Sequence, residues 1–103
     1  MVKMFIKRII WKIRKSLGID NVMILLGRLL AEKNRSISGF TSLSSFEFKV
    51  FSQWGEDGII QYLIQRIEIS NKIFIEFGVQ DYTEASTRFL LINNNWSGMV
   101  IDS

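Results

Sequence analysis

Neither cysteine nor histidine occurs among the 103 residues. The first absence removes disulfides, thiolate metal sites and a cysteine nucleophile. The second removes histidine acid–base chemistry and the common zinc sites. A reducing, intracellular setting is compatible with both. Long apolar runs are also missing. The longest candidate, Val22 to Leu26, is five residues and is followed by Gly27 and Arg28, against the roughly 18 residues that a membrane span needs. A secretory signal fits badly, because the early basic residues are interleaved with apolar ones. The expectation is a cytoplasmic protein. Negative charge is missing from one region only. The first fifteen residues hold six cations (Lys3, Lys7, Arg8, Lys12, Arg14, Lys15) and no acid, whereas the rest carries seven basic against ten acidic side chains. The net charge of +3 is therefore a property of the N-terminal stretch, and no basic domain face for nucleic acid is expected.

Apolar material is plentiful. At 48% apolar and 13% aromatic content the chain can build a core and is not of the disordered class. Its length allows one domain at most, short of the roughly 150 residues of a full doubly wound sheet. Val2, Phe5, Ile6, Ile9, Ile10, Ile13 and Leu17 recur at helical spacing, and Gly18 is a natural stop. Such a basic amphipathic helix, residues 2–17, can lie on an anionic membrane, on a protein partner or on its own domain. Asp20 offers an N-cap to a second helix, Asn21 to Lys33, with Ile19 and Ile24 at hydrophobic-staple positions. Residues 1–34 thus read as a basic helical hairpin and 35–45 as a serine-rich linker, the one boundary in the chain.

Phe46-Glu47-Phe48-Lys49-Val50 alternates like a half-buried extended segment. Ser52 can cap the following helix, about Gln53 to Ile67. Gly55 and Gly58 near its start permit either a close approach of another element or an irregular first turn. Glu56 and Asp57 can reach toward the loop after Gly78 or serve as charges that suit the helix's positive N-terminal end. The stretch from Lys72 to Asp102 then reads as strand, glycine, loop, helix, turn and strand: Ile73–Gly78, Ala85–Ile92, and Met99–Asp102. That is a βαβ unit. The first strand is nearly all apolar, as for a parallel strand covered on both faces. Gly78 lets the backbone turn with no side chain in the way of a ligand. Asp102, 24 residues beyond Gly78, can accept hydrogen bonds from two ribose hydroxyls. The same residues also suit an ordinary βαβ unit in which Glu76 and Asp102 merely end strands. Glu84 and Arg88 have the spacing of a solvated helical pair.

Phe51-Ser52-Gln53-Trp54-Gly55-Glu56-Asp57-Gly58-Ile59-Ile60, Glu76-Phe77-Gly78-Val79, Thr87-Arg88-Phe89-Leu90-Leu91, Asn95-Trp96-Ser97-Gly98 and Ile101-Asp102 occur in this order. Together they resemble the start of the FkbM-like family of class I S-adenosylmethionine-dependent methyltransferases, over about residues 46–103. The resemblance implies an α/β fold, the N-terminal portion of a Rossmann-like methyltransferase sheet, with the sheet incomplete at Ser103. It implies S-adenosylmethionine as cofactor, with Glu76 and Gly78 on the cofactor loop and Asp102 as the ribose-binding acid. It also implies methyl transfer to a small-molecule or glycan hydroxyl. No metal is expected and no catalytic base is assigned. Gln80 and Tyr82 stand where further glycines are usual, which suggests Tyr82 as an aromatic wall of the site. Two other readings stay open: a non-catalytic module that uses the basic helix on a membrane or partner, and a nonfunctional remnant.

Overall fold

The computed structural model describes residues 2–37, 39 and 42–102. Three positions of the expected linker, 38, 40 and 41, lie outside the described residues. Among the described residues the chain forms four α-helices and one two-stranded parallel sheet. The helices are α1 (Val2–Ser16), α2 (Ile19–Ser36), α3 (Glu56–Arg66) and α4 (Arg88–Asn94), and the strands are β1 (Ile73–Phe77) and β2 (Ser97–Ile101). An α/β arrangement with a parallel βαβ unit is therefore present.

Helices α1 and α2 follow each other across Leu17 and Gly18. No residue of α1 is buried, and among the described residues its side-chain ties to α2 start from Arg14. That guanidinium donates 2.8 Å to Asp20 Oδ1 and 3.4 Å to Met23 Sδ. Asp20 therefore pairs with Arg14 rather than capping α2, whose entry is the left-handed Gly18. Helix α2 instead packs on α3 and the segment that follows the loop. Gly27, Ala31 and Asn34 are its buried positions, and Ala31 shares a core with Phe48, Val50, Phe51 and Phe89. The boundary expected at 35–45 does not separate two cores.

Phe46, Phe48 and Val50 are buried and Glu47 and Lys49 exposed, so the alternation is real. The segment nonetheless pairs with no strand; it begins as a 3-10 turn, Leu43–Phe46. Phe46 stacks on Tyr62 at 3.8 Å and 17°, and Phe48 meets Phe89 edge-on at 5.9 Å. A second core holds Phe74, Leu90 and Trp96, with Ile60, Ile64, Ile69 and Tyr82 against it. The short helix α4 joins the two cores, because adjacent Phe89 and Leu90 enter different ones. Its end is fastened by Arg28 Nε to Asn93 Oδ1, 2.6 Å, and Gln61 Nε2 to Asn94 Oδ1, 2.7 Å. It stops at Asn95 in the left-handed region, with the Trp96 amide donating to Leu90 O at 3.2 Å, a Schellman-like close.

The β1–β2 register pairs Ile73 with Ser97, Ile75 with Met99 and Phe77 with Ile101. Phe74 faces the second core, but Ile73, Ile75 and Phe77 are 61–72% exposed. The strand expected to be covered on both faces is covered on one, because the described helices that touch the sheet all lie on the Phe74 side.

One buried carboxylate holds the segment 46–52 to α3. Asp57 Oδ2 accepts the amides of Val50 (2.8 Å), Phe51 (2.7 Å) and Ser52 (2.9 Å). In return Ser52 Oγ accepts the Asp57 amide at 3.2 Å. The reciprocity is that of a capping box stretched to a spacing of five. Gly58, the next residue, is a close-approach glycine. A Cβ there would lie 2.1 Å from Phe46 O and 2.4 Å from Phe48 N, backbone atoms that cannot step aside. Gly55, at φ +99, makes the irregular turn before it. Close approach of another element thus accounts for Gly58, and the irregular first turn for Gly55.

Two stability predictions follow from this junction. Gly58→Ala is expected to lower unfolding free energy by at least about 1–3 kcal/mol through overpacking, seen as a lower urea midpoint. Asp57→Ala leaves three buried amides without their acceptor and is expected to cost roughly 3 kcal/mol or more, at about 1–3 kcal/mol per unpaired group. The same titration, run on both variants, checks the pair.

Candidate functional site

The clasp at Asp57 brings the start of α3 against the carboxyl end of β1. A cleft of about 190 Å³ opens there, lined by Gln53, Glu56, Glu76, Gly78, Val79 and the loop Glu84-Ala85-Ser86. Glu76 and Gly78 thus meet in one cleft. Asp102 is one step past Ile101, the partner of Phe77, so it falls opposite Gly78 at the sheet end. It is exposed and not among the residues lining the cleft. The Gly78 amide closes the ladder on Ile101 O at 2.9 Å.

Gly78 suits its left-handed backbone shape, and the space around it is open. Its φ is +75, and a Cβ built there would touch nothing within 4 Å. The left-handed turn aims the chain out of β1 and leaves bare main chain facing the cleft.

Glu76 does a different job from the one its position suggests. Its Oε2 accepts the Ser86 amide at 3.0 Å. Its Oε1 accepts both the Thr87 amide (2.9 Å) and the Thr87 hydroxyl (2.5 Å). The carboxylate therefore serves the amides just before α4, where an acid is favoured by unpaired N–H groups. Because the Thr87 proton goes to Glu76, the 2.8 Å bond between Tyr82 and Thr87 hydroxyls has Tyr82 as donor. Tyr82 thus turns inward onto the second core rather than standing as a free wall. Burial, assisted by the Glu76 charge, raises its phenol above the ordinary value.

Helix α4 starts at Arg88, not at Ala85, so Glu84 lies in the loop and the expected Glu84–Arg88 pair is not formed. The Arg88 guanidinium stacks 4.1 Å from the Phe51 ring and donates to Thr83 O at 2.7 Å. Asp81 Oδ1 accepts the Thr83 amide (3.1 Å) and hydroxyl (2.6 Å), an Asx turn that shapes the loop. These bonds, the hydroxyl's first, hold Asp81 below the usual carboxylate range. Glu56 Oε2 accepts the Trp54 amide at 2.9 Å. Its own backbone amide, and next that of Trp54, hold its carboxyl down as well.

Three carboxylates (Glu56, Glu76, Glu84) and one amide, Gln53, therefore line the cleft, with no cation among them. The sequence pattern did not point to Gln53 or Glu84 as site residues. Gln53 was visible within the resembling motif, and Glu84 was hidden by its spacing to Arg88. Among the described residues no group of three or more acids is arranged to hold a metal ion, and no helix is long and apolar enough to cross a membrane. In comparisons with known proteins, no family model, curated protein or solved structure matches the chain.

Glu56 in the cleft and Asp81 in the neighbouring loop make the fold sensitive to acid. Glu56 and Asp81 have folded-state pKa values below their unfolded ones, so the stability they add is full above the usual carboxylate range. It is lost as pH falls through the folded values. A series of urea midpoints from neutral to acid pH is expected to decline, and Glu56→Gln with Asp81→Asn to flatten part of that decline.

Proposed function

We propose that the cleft at the carboxyl end of β1 is part of an S-adenosylmethionine site, and that the chain is the cofactor-binding portion of a methyltransferase resembling the FkbM-like enzymes. The observation that carries this reading is the pairing of an open left-handed Gly78 with an acid-lined cleft at the end of a parallel strand. Ligands of open parallel sheets bind outside the carboxyl ends of the strands.

The donor set suits this cofactor in charge. S-adenosylmethionine carries a sulfonium and an ammonium against one carboxylate, a net positive charge, and Glu56, Glu76 and Glu84 surround the cleft with negative charge. Asp102, exposed at the neighbouring strand end, is the residue to accept the ribose hydroxyls. Gly78 supplies the bare backbone beside it. Glu76 acts mainly by holding the loop 85–87 in shape, so its contribution to binding is positioning. At about 190 Å³ the cleft is smaller than the ~300–1,000 Å³ usual for small-molecule sites, which fits a part of the cofactor rather than all of it. When bound, the cofactor supplies an electrophilic methyl group. This chain's own residues bind and orient it, and a hydroxyl of a sugar or other small molecule is the acceptor class that the resemblance implies.

Isothermal titration with S-adenosylmethionine and with S-adenosylhomocysteine tests the reading. Saturable micromolar binding is expected, tighter for the sulfonium compound. Asp102→Ala is expected to lose roughly tenfold to a hundredfold, the value of hydrogen bonds to a charged acceptor at about 1.5–3 kcal/mol. A folded chain that binds neither compound overturns the proposal. Binding that Asp102→Ala leaves untouched overturns the ribose assignment.

A further inference from the structure

Helix α1 contributes nothing to either core. At ~100° per residue Val2, Phe5, Ile6, Ile9, Ile10 and Ile13, with Leu17 just past the helix end, fall in an arc of roughly 140°, while Met4 and Trp11 lie opposite. Lys3 and Lys12 stand at the two borders of that arc, with the other cations beyond them. The stripe is open to solvent: Phe5 is 66% exposed, Ile9 42% and Ile13 53%. Arg14 is held by Asp20 at 2.8 Å and Lys15 lies over the Trp11 ring at 4.9 Å. No acid occurs on the helix.

We infer that α1 is a docking element for a lipid bilayer surface rich in anionic headgroups. The arrangement matches that surface from both sides of the helix. An apolar stripe enters the boundary between headgroups and acyl chains, while lysines at its two edges reach back to the headgroup plane. Anionic lipid attracts such cations additively and over a short range. Other occupants fit less well. Nucleic acid would leave the stripe in water and would meet Met4 and Trp11, not cations, at the centre of the polar face. A second α1 would bring six cations against six. The cleft of the reaction proposed above shares no residue with this helix.

Vesicle co-sedimentation of the full chain tests this. The probes are phosphatidylcholine vesicles alone and the same vesicles with about a third of phosphatidylserine, where a surface potential develops. Binding is expected to the mixed vesicles and to be weaker on plain ones by about tenfold or more, with the difference removed by high salt as screening shortens. Lys3→Glu with Lys12→Glu is expected to weaken binding to the mixed vesicles by a similar factor, and Ile9→Asp to abolish it. Neither change should move the urea midpoint, because α1 has no buried residue. Equal binding to both vesicles, binding insensitive to salt, or no binding by the parent chain overturns the inference. So does an oligomer, seen by sedimentation, that Ile9→Asp dissociates while lipid binding persists, because the occupant of the stripe is then a second copy.

Discussion

A single oxygen, Oδ2 of Asp57, gathers three consecutive backbone amides, and the rest of the fold depends on that junction. The segment 46–52 runs without a strand partner, so its amides need an acceptor from elsewhere. Asp57 supplies it from the first turn of α3, and the absence of a side chain at Gly58 lets the helix come close enough to do so. With the segment held, Phe48, Val50 and Phe51 reach Ala31 and Phe89. Phe89 then fixes α4, and α4 carries Leu90 to the second core with Phe74 and Trp96. The cleft at the end of β1 is bounded by the same α3 turn. Packing and site therefore share one electrostatic anchor.

Much of this was legible in the sequence, and the parts that were not have physical reasons. Helical periodicity located α1, α2 and α3, and the βαβ order of β1, α4 and β2 followed from apolar runs separated by Gly78 and Asn95. Alternation at Phe46 to Val50 correctly gave buried and exposed sides, but period two reports burial rather than hydrogen bonding, so it could not say that a carboxylate would replace a neighbouring strand. Asp57 looked like a helix-end charge because its partners are backbone amides, which leave no side-chain pattern. Glu84 and Arg88 matched a helical spacing that the chain does not use, since α4 begins only at Arg88 and Glu76 holds the amides of Ser86 and Thr87 just before it. The site was legible as a location. Gly78 and Glu76 do line the cleft, but which groups of Glu76 remain for a ligand depended on Ser86 and Thr87, ten and eleven residues away.

The two amphipathic elements left uncovered differ in kind. The β1–β2 face of Ile73, Ile75, Phe77, Met99 and Ile101 is apolar and exposed, with no described helix against it. The α1 stripe is apolar with a cationic border on each side. Both expose large side chains to water, but only α1 carries the charge that tells one class of partner from another.

The sheet itself has a consequence for amide hydrogen exchange. A strand with one neighbour turns every second N–H toward it and the others away. Ser97 N donates to Lys72 O and Gly78 N to Ile101 O. By the two-residue repeat, the amides of Phe74, Glu76, Met99 and Ile101 face the ladder, and those of Ile75, Phe77, Gly98 and Val100 face away. Protection along each strand should therefore rise and fall at alternate residues. A neighbour added at either edge would turn that alternation into continuous protection along the strand it joins.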